Sequence, residues 1–139
     1  MPLSKELEQL ENFTRLNELQ IEERGKIDFR VSDFPSGYQI APLILIVFIE
    51  NAFKHSQSSQ STDIVIDIQI LVSEEGKLHF VCRNSFHPKT NHENLAHGIG
   101  LENVKKRLQL IYPGEHTLIT KLKNNEFVAD LTLQLTKRS

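Results

Sequence analysis

The segment PLILIVFIENAFKHS, residues 42 to 56, decides how this chain is read. Pro42 suits the opening of a helix, where a missing N–H costs no hydrogen bond. The apolar run after it suits a helix packed on a core, and it ends in Asn51, Lys54 and His55. Asn51 stands three residues before Lys54 and four before His55, so the three share one helix face, at the edge of a pocket. A second segment, GIGLENVKKRL at residues 98 to 108, places Gly98, Ile99 and Gly100 at a turn that runs into Leu101 and a further helix. Glycine lets backbone N–H groups come close to an anion, and a helix start adds partial positive charge, so phosphate binds at such a place. Taken singly, an amphipathic helix face and a helix-entry turn explain each segment.

Working outward, Ser4 to Glu23 has a helical pattern, with Leu3, Leu7, Leu10 and Phe13 at spacings of three and four, then Leu16 and Leu19. Ser4 is the expected N-cap and Gly25 the expected stop. Lys26 to Val31 alternates as a strand, and Phe34 to Gly37 is a turn. After the polar stretch SQSSQST, Asp63 to Val72 alternates through Ile64, Ile66, Ile68 and Ile70. Glu75-Gly76 turns it into a partner strand, Lys77 to Asn84. Residues 85 to 97 have no periodicity and are long enough for a functional loop, read here as a lid. Leu101 to Tyr112 is a helix stopped by Pro113-Gly114. Strands Thr117 to Leu122 and Phe127 to Leu135 meet at Asn124-Asn125. The order α-β-α-β-β-α-β-β, with strands apolar on one side only, predicts an α+β fold. It is a two-layer sandwich: a mixed, mostly antiparallel sheet with three helices on one face.

A chain of 139 residues suffices for one core. Its net charge of −2 gives no basic field for nucleic acid. The apolar runs are too short to span a bilayer, and no signal-peptide pattern opens the chain. The single cysteine, Cys82, excludes an internal disulfide framework and reads as a small core residue. His87, His92 and His97 recur every five residues, which fits neither a helix face nor a short zinc motif.

The two segments, in this order and with two strands between them, resemble the N box and G box of the ATP-binding catalytic domain of sensor histidine kinases. Glu50-Asn51 and Asn103-x-x-x-Arg107-Leu108 are similar to the LytS-like subfamily, whose cognate response regulators often carry LytTR-type DNA-binding domains. The resemblance runs from about Leu3 to Leu135 and implies the Bergerat, or GHKL, fold.

It further implies ATP and Mg²⁺ as cofactors. Asn51 would ligate the nucleotide's Mg²⁺ through its carbonyl oxygen, a suitable partner for a hard cation. Lys54 and His55 would meet phosphate oxygens. Gly98, Ile99, Gly100 and Leu101 would cradle phosphates, and Arg107 would be a structural or a phosphate-facing cation. Asn84 stands where the family ends this strand in an Asp that accepts from the adenine amino group. Asn keeps the acceptor but loses the charge, and the glycine that normally follows is absent.

Fold members that hydrolyse ATP place a Glu four residues before the metal-binding Asn; here that residue is Val47, and Glu50 points about 100° away from Asn51. Transfer to a protein acceptor is therefore expected over plain hydrolysis. None of the six histidines lies in the first helix, so the phosphoacceptor segment is expected before Leu3. Residues 1–25 would link to it, residues 26–139 would form the catalytic domain, and the domain alone would not autophosphorylate. The parent protein is expected to be a homodimeric protein-histidine kinase anchored in a bacterial plasma membrane, with this domain in the cytoplasm. One rival is a degenerate nucleotide-binding module that docks on a partner; another is an α+β interaction domain with no ligand.

Overall fold

The computed structural model describes residues 1–21, 25–58, 64–85, 99–123 and 125–137. The element order is α1 (Leu3–Ile21), β1 (Gly25–Val31), β2 (Tyr38–Gln39), α2 (Leu45–Ser58), β3 (Ile64–Val72), β4 (Lys77–Ser85), α3 (Ile99–Ile111), β5 (His116–Lys123), β6 (Glu126–Gln134) and β7 (Thr136–Lys137).

Period-two alternation builds the main sheet. Ile64, Ile66, Ile68 and Ile70 of β3, and Leu78, Phe80 and Cys82 of β4, are buried on one face. The opposite face is open, with Val65 and Leu71 exposed. The five strands run β1-β3-β4-β6-β5. Among the described residues only β1 and β3 pair in parallel; the other neighbours are antiparallel. A parallel pair needs a long crossover, and β2 and α2 lie within it. The three helices among the described residues and the mixed sheet make the α+β sandwich expected from sequence. The helices meet the buried face chiefly through α2, which packs on β3 and β4 and is flanked by α1 and α3. The ring of Phe48 of α2 lies 5.7 Å from that of Phe80 of β4, tilted by 48°. Leu3, Leu7, Leu10 and Ile21 place α1 in this same core.

Several boundaries differ from expectation. Pro2, not Ser4, occupies the cap of α1: its carbonyl accepts from Lys5 N–H at 3.1 Å and Glu6 N–H at 3.2 Å. Gly25 opens β1 instead of closing a helix, and a Cβ there would collide with the Ile64 carbonyl of β3. The second helix starts at Leu45, because Pro42 and Leu43 form a turn in which Leu43 has φ 62°. The short β2–β7 ladder had no sequence signal; Tyr38 pairs with Lys137 and Gln39 with Thr136. The expected lid at 85–97, with His87, His92 and His97, lies outside the described residues beyond Ser85.

Candidate functional site

Asn51 and His55 sit one turn apart on α2, and Asn51 Oδ1 is 3.1 Å from His55 Nε2. His55 is only 4% exposed, while Asn51 is half-buried and Lys54 exposed. Burial, helped by the charge of Lys54, lowers the His55 pKa from its usual 6.5. The imidazole is therefore neutral at pH 7, and the hydrogen bond assigns its proton to Nε2, donating to Asn51. His55, expected from sequence to meet phosphate oxygens, is a buried group bonded to Asn51. A carbonyl oxygen carries two lone pairs, so Asn51 Oδ1 retains one acceptor position beyond the His55 bond.

Asn84 stands near the end of β4, 2% exposed, between Ile66 of β3 and Phe127 of β6. It continues the buried series through Cys82, whose Sγ lies 3.9 Å from the Phe48 carbonyl of α2. Its Nδ2 donates to the Ser85 carbonyl at 2.9 Å. That bond fixes the amide orientation, so Oδ1 is the end left to accept. Burial pushes the Cys82 thiol up to about 12, which makes it an inert core group.

Ile99 and Gly100 form the first turn of α3 and Leu101 is buried beneath it. Gly98 lies outside the described residues. Helices α2 and α3 pack on each other. Among the described residues no group of three or more His, Cys, Asp and Glu gathers as a metal site. A Mg²⁺ held through nucleotide phosphates and one neutral oxygen suits this donor set, since Mg²⁺ keeps several waters.

Arg107 lies in the last part of α3. Its Nη1 donates to the Leu43 carbonyl at 2.7 Å and its Nη2 to the Pro42 carbonyl at 2.6 Å. Two residues that the sequence reading missed meet the same turn. Tyr112 Oη accepts from Ala41 N–H at 2.9 Å, and Glu6, 2% exposed on α1, receives a backbone hydrogen bond from Leu43. The signal for Glu6 was there: it falls between Leu3 and Leu10, at spacings of three and four, on the apolar side of α1.

The chain matches the catalytic domain of the histidine kinase ThkA with a TM-score of 0.69 at 14% identity, over 99% of this chain and 97% of that one. The chain has the histidine-kinase catalytic-domain fold. The histidine kinase domain of a blue-light-activated kinase from Erythrobacter litoralis matches at a TM-score of 0.68 and 14% identity, over 97% of this chain and 66% of that one. A mycobacterial sensor histidine kinase, MprB, matches at 0.60 and 12%, over 99% and 98%. No protein-family model and no curated protein matches. No helix among the described residues is long and apolar enough to cross a membrane.

Proposed function

We propose that this chain is the ATP-binding catalytic domain of a LytS-like two-component sensor histidine kinase. The observation that carries the reading is Asn51: its Oδ1 is oriented by a buried neutral His55, on a helix packed against the one that begins at Ile99. In this reading Asn51 Oδ1 would hold the Mg²⁺ that accompanies the nucleotide, which would supply charge neutralisation at the phosphates. Lys54, exposed on the same helix, meets phosphate oxygens. The backbone at Gly98, Ile99, Gly100 and Leu101 binds phosphate. Asn84, anchored through Nδ2, accepts from the adenine amino group through Oδ1.

The domain's contribution is position and charge, as is usual in phosphoryl transfer. A histidine ring nitrogen from a phosphoacceptor segment attacks the γ-phosphorus, the bond to the β–γ bridging oxygen breaks, and ADP departs. Half-buried Val47 stands one turn before Asn51, and Glu50 is exposed. Neither supplies a base to activate water, which supports transfer to a protein over hydrolysis. Residues 1–25 connect to the phosphoacceptor segment. The parent kinase acts in the cytoplasm as a membrane-anchored homodimer and passes its phosphoryl group to a LytTR-type response regulator.

Calorimetric titration of Mg-ATP and Mg-GTP into the domain tests this, beside Asn51→Ala and Asn84→Ala. ATP is expected to bind more tightly than GTP and to weaken in both variants. No heat with either nucleotide at millimolar ligand rejects the reading. Asn84 in place of Asp favours one alternative, a docking module that binds nucleotide without phosphotransfer. ATP affinity with no transfer to a supplied acceptor segment would select it.

A further inference from the structure

We infer that the Ala41–Leu43 turn sets the start of α2 against α1 and α3, and that Arg107 is a positioning residue acting through that turn, not a phosphate ligand. The functional half of this inference rests on the nucleotide-binding reading above; the structural half does not.

The turn is strained and held from two sides. Leu43 adopts φ 62°, in the left-handed region that a non-glycine residue occupies only when its surroundings enforce it. Leu43 is 57% exposed, so burial of its own side chain does not supply the force. The backbone groups supply it. Ala41 N–H is bound by Tyr112, Leu43 N–H by Glu6, and the carbonyls of Pro42 and Leu43 by Arg107. Arg107 lies on α3, Tyr112 directly follows that helix, and Glu6 lies on α1. A guanidinium presents its donors as a rigid fork, which matches two successive carbonyls as an ammonium cannot. Its charge also lies close enough to Glu6 to act on that carboxyl.

Just after the turn, Ile44 and Leu45 are fully buried and α2 begins. Asn51 and His55 are fixed to that helix, so its entry point sets where they stand relative to the start of α3. A phosphate drawing Arg107 away would have to break both carbonyl bonds.

The test uses the nucleotide-free domain first. Amide exchange is followed at Ile49 to Ala52, in the first turns of α2, with β3 amides as the internal reference. Arg107→Ala is expected to speed exchange in α2 by about tenfold while β3 is unchanged, because charge-assisted bonds to the turn are lost. Arg107→Lys is expected to rescue poorly. Leu43→Gly added to Arg107→Ala should recover at least about threefold, since glycine takes a positive φ without strain. Leu43→Gly alone, which keeps every partner, should slow α2 exchange; this arm stands even if the Arg107 variants do not fold. Unchanged α2 exchange in Arg107→Ala, or equal acceleration of α2 and β3, overturns the inference.

The nucleotide arm then compares ATP with ADP. Equal fold-losses of affinity in Arg107→Ala support positioning, and a loss confined to ATP overturns it. If the wild-type domain binds no nucleotide, the proposed function fails while the exchange result still decides the role of the turn.

Discussion

Glu6 and His55 are both buried ionisable groups, and they bias stability in opposite directions with pH. Burial, opposed by the Leu43 N–H and by the charges of the N-terminus and Arg107, holds the Glu6 carboxyl above its ordinary 4.5. As pH rises the unfolded chain loses that proton first. The Glu6 contribution is therefore complete below about pH 4.5 and is lost as pH climbs through the raised folded value. Glu6→Gln, which cannot ionise, should gain urea midpoint relative to wild type between about pH 4 and pH 7. A constant difference between the two curves would contradict this. For His55 the folded pKa lies below 6.5, so the unfolded chain takes up the proton first as pH falls. Its contribution is present above about pH 6.5 and is lost as pH drops through the lowered value. Wild type should thus lose more urea midpoint than His55→Gln between about pH 7 and pH 5. His55→Ala should also weaken Mg-ATP binding severalfold, by freeing the Asn51 amide to rotate, and titration at pH 7.5 measures that.

At the scale of elements, two connections carry more constraint than their length suggests. Tyr112 Oη is the partner of Ala41 N–H, so Tyr112→Phe leaves that donor without it. The expected cost is about 1 kcal/mol in urea denaturation. The hairpin between β3 and β4 turns at Gly76, where φ is 81° and a Cβ would strike the Tyr38 ring of β2. Gly76→Ala therefore meets both backbone strain and a clash, and should cost more than about 1 kcal/mol while displacing Tyr38 from its 3.0 Å bond to the Glu74 carbonyl. The hairpin turn was legible in Glu75-Gly76. The second reason for glycine was not, because Tyr38 reaches it across a long separation in sequence. The start of α2 was misplaced for a similar cause. Pro42 is a good first helical residue by local rules. Side chains from α1 and α3 instead stabilise a turn there and postpone the helix to Leu45.

At the scale of the molecule, α1 is not an appendage. Leu3, Leu10 and Ile21 are nearly fully buried in the cluster that includes Phe48 and Phe80. Deleting residues 1–21 should abolish cooperative unfolding, read as loss of a single thermal transition; Leu10→Ala alone should cost about 2–5 kcal/mol. The alternating isoleucines of β3, the Leu-Phe-Cys face of β4 and the helical stripes were readable because period-two and 3.6-residue patterns report burial locally. From them the sequence alone determined the three helices and the five strands of the main sheet, their inward faces and the α+β class, but not β2, β7 or the start of α2. It also placed Asn51, Lys54 and His55 on one helix, whereas the other helix begins at Ile99 with Gly100 inside it, not at Leu101 after a glycine turn. Tertiary structure alone decided that β1 joins β3 in parallel, that β2 meets β7, that His55 is buried against Asn51, and that Arg107 grips the turn before α2. The physical reason is range. A residue's periodicity and turn chemistry depend on its neighbours in the chain, whereas the charge state of an imidazole and the target of a guanidinium depend on what folding brings beside them.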